Sequence, residues 1–266
     1  MKKYITLAVL LAAGSAVANA AELTYSDYTD ELKNGLQVAW TFDTATPDYT
    51  ATGFSLNNAA TATVNNGQGV FGNSDLPWVT GLSFTSGFTF SFDLINANLD
   101  TWCTLLSIYS DGTTYGDNHS FQLQKNNAGE LYFYTAVGGA VAYSGTSPST
   151  TAIGLGALDD LKGKNLTFTY GSATNSGAVL TAYVDGESKG TMTFSNDVAA
   201  MTGFQIGAAF GDNRLQTNAT YDNYSIWNRA LSAEEVKSIA IPEPSAFGLL
   251  AGVGALALVT ARRRRR

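Results

Sequence analysis

An all-β sandwich of antiparallel strands, closed by one short helix near the C-terminal end, is the fold this sequence predicts. Three observations carry it. Short runs of alternating Phe, Tyr, Thr, Val and Leu recur from Val38 onward. Clusters of Gly, Asn, Asp and Ser separate them, which is where tight turns need such residues. The 266 residues include 27 Gly and 12% aromatics but only 14% charged residues, a composition suited to a turn-rich β-protein.

In chain order, Met1 to Ala20 reads as a secretory signal peptide: Lys2 and Lys3, an apolar run from Ile5 to Ala13, then Ala18-Asn19-Ala20 as a small-x-small cleavage site. Cleavage before Ala21 is expected, because the apolar run is too short for a membrane anchor. Strands are expected at Val38–Phe42, Phe88–Leu94, Thr104–Tyr109, Ser120–Gln124, Leu131–Thr135, Leu166–Tyr170, Val179–Val184, Thr191–Phe194, Gly203–Gly207 and Ala219–Trp227. Asn126 to Gly129 and Asp185-Gly186 read as hairpin turns. The segment from Asp43 to Gly67 mixes loop with short edge strands. No repeat or linker divides residues 21–241, so they form one domain.

The stretch from Tyr221 to Ile239 runs a strand directly into a helix. Alternation puts Tyr221, Asn223, Ser225 and Trp227 on one face and Asp222, Tyr224, Ile226 and Asn228 on the other, so both faces should be covered. Ser232 and Glu235 form a capping box, and Leu231 and Val236 stand where a hydrophobic staple forms.

Charge excludes one class of partner. Residues 21–241 contain eight basic and 21 acidic residues, a net charge of −13, so nucleic acid is not a partner. One cysteine, Cys103, and one histidine, His119, exclude an internal disulfide and sites built from His and Cys clusters. A hard-cation site of Asp, Asn and backbone carbonyls remains open.

The C-terminal end combines three features. Pro242-Glu243-Pro244 precedes 17 uncharged residues, Ser245 to Ala261, which end in five arginines, Arg262 to Arg266. That length is at the lower limit for spanning a hydrocarbon core of about 30 Å. The arginines would remain cytoplasmic. The layout resembles a PEP-CTERM sorting signal, and the resemblance implies an exosortase-type processing partner, with Pro242, Glu243, Pro244, Arg262 and Arg263 as its marks.

The run Asn228-Arg229-Ala230-Leu231-Ser232-Ala233-Glu234-Glu235 after Asp222 resembles the closing motif of bacterial LamG-like jelly rolls, in the concanavalin A-like lectin and glucanase superfamily. Val38-Ala39-Trp40-Thr41-Phe42-Asp43, Phe88-Thr89-Phe90-Ser91-Phe92 and Ala182-Tyr183-Val184-Asp185-Gly186 agree in order and spacing. The resemblance implies a concanavalin A-like jelly-roll β-sandwich over residues 21–241, followed by the sorting signal at 242–266. It also implies a structural calcium where the first and last strands meet, at positions matched by Asp43 and Asp222. Alternatively, Asp43 bonds its own turn and Asp222 caps a strand end.

Two places could bind a ligand. Tyr132 and Tyr134 share one strand face and Leu131 and Phe133 the other, so one pair should be core and the other more exposed. Exposed tyrosines could stack on sugars, or they could fill a second core layer. The segment Tyr109 to His119 offers Asp111, Tyr115, Asp117 and Asn118, which suit hydroxyl groups, though a plain hydrophilic hairpin would read the same way.

A glycosidase needs two carboxylates across a cleft. No acidic pair alternates along one strand, Asp159-Asp160 reads as a loop, and no nucleophile setting appears. The expectation is an exported, non-catalytic, lectin-like protein whose partner is a glycan, exopolysaccharide or other matrix component. It meets the membrane through residues 245–261 before processing. The alternatives are a structural or adhesive biofilm protein and a glycoside hydrolase.

Overall fold

The computed structural model describes residues 25–52, 55–57, 63–71, 78–84, 87–98, 104–109, 120–135, 152–173, 177–194, 201–207 and 218–240. The strands are β1 (Leu36–Trp40), β2 (Tyr49–Thr50), β3 (Ser55–Asn57), β4 (Thr63–Asn65), β5 (Gln68–Phe71), β6 (Trp78–Phe84), β7 (Gly87–Asn98) and β8 (Thr104–Tyr109). They continue as β9 (Ser120–Lys125), β10 (Glu130–Thr135), β11 (Ala152–Ala157), β12 (Lys164–Ala173), β13 (Gly177–Val184), β14 (Glu187–Phe194), β15 (Met201–Ile206) and β16 (Asn218–Trp227). A 3-10 turn at Tyr25–Asp27 and three short α-helices, α1 (Asp30–Lys33), α2 (Leu158–Leu161) and α3 (Ala233–Ala240), complete the described elements.

Nine strands make one sheet in the order β14-β13-β12-β7-β16-β1-β2, with β5 also pairing β16 and β4 pairing β5. Seven make the other, in the order β11-β10-β9-β8-β15-β6-β3. All described pairings are antiparallel. The architecture is therefore the jelly-roll-like sandwich that the sequence predicts.

The inward faces meet through aromatic rings. Phe168 of the nine-stranded sheet stacks on Phe133 of the other at 4.5 Å, and Phe90 meets Phe204 edge-on at 5.3 Å. Such pairs contribute about 0.5–1.5 kcal/mol each beyond their burial. Phe88, Phe90 and Phe92 alternate inward along β7, as their spacing requires.

The outward face of the nine-stranded sheet is covered as well. Tyr28 and Leu32 from the N-terminal side and Leu231, Val236 and Ile239 from the C-terminal side pack with Trp227 and Tyr183. The capping box is present: Ser232 N–H donates to Glu235 Oε2 at 2.8 Å, and Glu235 N–H donates to Ser232 Oγ at 3.2 Å. Arg229 then joins the two ends. Its guanidinium reaches both Glu235 oxygens, at 2.6 and 3.0 Å, and donates to the carbonyls of Asn34 and Glu31 at 2.7 and 2.6 Å. The adjacent guanidinium holds the Glu235 carboxyl below its ordinary range.

Three local expectations are corrected. β16 does not keep strict alternation, because Asn223 adopts a left-handed φ of 50° and the register with β7 shifts between Asp222 and Ser225. Tyr221 therefore joins Tyr224 and Ile226 in the inter-sheet core, while Trp227 faces outward. β1 stops at Trp40, since Phe42 turns to φ 61° and lays its buried ring over Gly69, where a Cβ would come within 2.6 Å of it. Asp159-Asp160 lies in the first turn of α2 instead of a loop.

No helix among the described residues is long and apolar enough to cross a membrane, and residues 1–24 and 241–266, with both targeting signals, lie outside the description.

Two substitutions test this packing. Tyr224 is fully buried, and its hydroxyl has no hydrogen-bond partner among the described residues. Tyr224→Phe should leave urea stability unchanged or raise it by about 1 kcal/mol. Arg229→Ala should lower it by about 2 kcal/mol at neutral pH, since charged hydrogen bonds between the two ends are lost.

Candidate functional site

Alternation on the seven-stranded sheet puts Leu131 and Phe133 of β10, Phe121 and Leu123 of β9, and Phe204 and Ile206 of β15 into the core. Tyr132, Gln122, Gln124 and Gln205 consequently point the other way. Their neighbours on β8 are Thr104, opposite Gln124, and Ser107, opposite both Gln122 and Gln205. This outward face is a polar layer on a rigid support. The Tyr132 hydroxyl donates to Gln124 Oε1 at 2.8 Å, and Gln124 Nε2 donates to Thr104 Oγ1 at 3.4 Å. The side-chain oxygen of Gln205 is buried without a partner among the described residues.

Tyr132 retains only 4% of its surface, so of the two alternatives left by the alternation it fills a second layer and is not an exposed stacking platform. Its bond to Gln124 holds it in the layer. Beside it opens a cavity of about 340 Å³ bordered by Tyr132, Glu130, Asn126 and Gly154. The Asn126 hairpin shapes one wall: Asn126 Oδ1 accepts from the N–H groups of Ala128 and Glu130 at 2.9 and 3.0 Å, and its amide donates to Glu130 Oε2 at 3.1 Å.

A second cavity, also about 340 Å³, is bordered by Lys125, Lys162 and Asp159 of α2. Lys162 pairs with Asp159 at 2.8 Å and holds that carboxyl below its usual range. This cavity has basic groups on its walls, and the first has an acidic one.

The outward face of the nine-stranded sheet is polar and buried too. Asn165 and Asn223 donate their amides to the two oxygens of Asp93 at 2.9 and 2.8 Å. Thr167 donates to Asn165 Oδ1 at 2.8 Å, and its hydroxyl lies 2.8 Å from that of Ser91. Tyr28 lies across this row with its hydroxyl 2.6 Å from that of Ser225, and burial pushes its pKa up to about 12. Burial likewise raises the Asp93 carboxyl above its ordinary value, against the lowering effect of the two amides. Sequence reasoning passed over Asp93, although its place in the alternating run Phe88 to Asp93 marks it as an outward acid on a central strand.

Asp43 and Asp222 lie towards the same end of the antiparallel β1/β16 pair, since Trp40 is opposite Tyr224. Asp43 accepts from the Thr41 hydroxyl at 3.3 Å, and Asp222 Oδ1 accepts the Asn223 N–H at 2.8 Å. Asp48 makes the closer contacts at this corner, taking the Thr41 N–H at 2.7 Å and hydroxyl at 2.9 Å. No group of three or more His, Cys, Asp or Glu side chains converges among the described residues. Tyr109 and Tyr134 contribute backbone to β8 and β10, but their side chains, with Asp111, Tyr115, Asp117, Asn118 and the 242–266 signal, lie outside the described residues.

Two packed antiparallel sheets define a jelly-roll-like β-sandwich. A family model described as the concanavalin A-like lectin/glucanases superfamily matches residues 71–237, more than half the chain, and the protein belongs to that family. Comparison with curated proteins finds no match. Among solved structures, Trypanosoma rangeli sialidase in complex with sialic acid superposes with a TM-score of 0.55 at 15% identity, over 79% of this chain and 33% of that one. The binding domain of Paraclostridial Mosquitocidal Protein 1 superposes with a TM-score of 0.47 at 12% identity, over 77% of this chain and 51% of that one. At these identities the likeness concerns the fold alone, and the chain spans only a third to a half of the structures it matches.

The raised Asp93 pKa fixes the sign of a pH effect. A carboxyl that ionises at higher pH when folded costs stability as pH rises from its unfolded to its folded pKa, and the cost persists above that window. Its contribution is thus most favourable at low pH. The stability of wild type relative to Asp93→Asn should decline as pH rises through that window, as read by urea denaturation from acid to neutral pH.

Proposed function

We propose that the domain is a non-catalytic glycan-binding module of an exported, envelope-sorted bacterial protein. The observation that carries this reading is the open cavity on the outward side of the seven-stranded sheet, where Asn126 and the exposed Glu130 stand beside Tyr132, which its bond to Gln124 holds in place. Hydrogen-bonding groups held by a hairpin and a strand suit sugar hydroxyls, and the cavity volume falls within the range of small-ligand sites. Membership of a lectin and glucanase superfamily supports the same substrate class, and a sialidase of similar fold is known with sialic acid bound. A binding role is preferred to hydrolysis because Glu130 is the one carboxylate among the described residues bordering the cavity, whereas glycoside hydrolysis uses two, about 5–9.5 Å apart.

The signal at residues 1–20 and the PEP-type terminus supply the address. Export exposes the domain outside the inner membrane, residues 245–261 hold it there transiently, and an exosortase-type enzyme processes it. Calcium is proposed as a structural ligand of Asp43 and Asp222, with backbone carbonyls and water completing its shell.

A polysaccharide and glycan array, run in calcium and again in chelator, tests both parts. Saturable binding to a defined saccharide is the expected outcome, and its absence in both buffers would refute the glycan reading. Calcium should raise the Tm of wild type and not that of Asp222→Asn; an unchanged Tm would remove calcium from the account.

A further inference from the structure

We infer that the cavity beside Tyr132 is a subsite for an uncharged pyranose, and that Gly154 is the residue that keeps it open. This rests on the glycan-binding reading and adds both the position and the sugar class. Gly154 faces Tyr132 directly across the β10/β11 pairing. Ile153 and Leu155 on either side of it turn into the core, so position 154 points outward with Tyr132.

Glycine weakens a strand, and it often marks a bulge, a left-handed backbone or a close neighbour. Gly154 stands beside a bulge, where the register with β10 shifts between Leu131 and Tyr132, but neither of the other two reasons applies to it. Its φ is not positive, and a Cβ built there meets no atom of the described residues within 4 Å. Gly156 on the same strand differs, since its φ of 117° accounts for it. Gly69 differs too, because the Phe42 ring fills the space a side chain would need. What the missing side chain at 154 provides is open volume next to a fixed tyrosine edge, inside a cavity of about 340 Å³.

The lining chooses the sugar. Asn126 and Glu130 stand at the hairpin wall with a carboxamide and a carboxylate, groups that bond vicinal hydroxyls. Glu130 is exposed and is the charged group among the described lining. The cations of this end, Lys125 and Lys162, border the other cavity. A carboxylate or sulfate on the ligand would therefore meet like charge in a body of net charge −13. A neutral hexose avoids that repulsion and gains the acceptor.

The test uses the full chain against matched neutral and sialylated, uronate or sulfated oligosaccharides, with Gly154→Val and Glu130→Gln alongside wild type. Wild type should select the neutral series. Gly154→Val should weaken binding about tenfold or more, with Tm equal or higher because valine suits a strand. If the valine variant is poorly folded, Gly154→Ser provides the same test with a smaller side chain, and it should weaken binding at an unchanged Tm. Glu130→Gln should reduce discrimination against anionic sugars. Preference for anionic sugars, or undiminished binding by a folded Gly154 variant, would overturn this subsite while leaving the lectin reading standing. Failure of wild type to bind any glycan would instead refute the lectin reading and the subsite with it.

Discussion

The bulge at Asp222–Asn223, where β16 lies against β7, is the constraint on which much of this molecule depends. β16 is a central strand with apolar neighbours on both faces, and strict alternation would send Tyr221 to the face opposite Tyr224. The left-handed Asn223 inserts a step into the register, so that Tyr221 and Tyr224 can flank Phe92, at 5.4 and 5.7 Å. Asparagine tolerates that conformation better than most residues. The same step delivers the Asn223 amide to Asp93, so backbone geometry and burial of a carboxylate are solved together. The arrangement keeps an acid in a nearly closed environment, and burial prevails over the amides in setting its pKa direction.

Closure of the chain ends follows from the other end of β16. Trp227 leaves the strand on the outward face and donates its indole N–H to the Leu32 carbonyl at 2.7 Å, across 195 positions of sequence. Arg229, two residues later, satisfies carbonyls at the end of α1 and the carboxylate of the α3 capping box. Helices as short as α1 cannot persist on local bonds, because nucleation costs more than four residues return. Their stability comes from packing on the sheet and from these ties.

How much of this was legible in the sequence depended on the range of the interactions. Periodic apolar runs such as Phe88 to Leu94 announced their strands, and the Ser232–Glu235 box and the Asp185-Gly186 turn were readable because their bonds close within a few residues. β5, β6 and β11 went unread for the opposite reason, and β2 to β4 were foreseen only as short edge strands somewhere between Asp43 and Gly67. Ala152 to Ala157 holds only two large apolar residues among Ala and Gly, so its strand character comes from pairing with β10. The bulge in β16 was likewise invisible, since it arises from register with a strand 130 residues away. For the site, the alternation Leu131-Tyr132-Phe133 gave the faces correctly, but exposure could not be derived from it. Whether an outward tyrosine stands free or bonds to Gln124 depends on the adjacent strand.

That difference separates the two polar faces of the sandwich. On the nine-stranded sheet, the polar row from Ser91 to Asp93 is crossed by Tyr28 and paired group by group, which is what burial of polar atoms demands. On the seven-stranded sheet, the row ends at an edge strand carrying glycines, and the buried oxygen of Gln205, four strands away, has no partner among the described residues. An unsatisfied amide oxygen and an unfilled strand position each lower stability. The hydrogen bonds that surround Asp93 on the nine-stranded face belong to folding. Polar groups there have already found their partners within the chain.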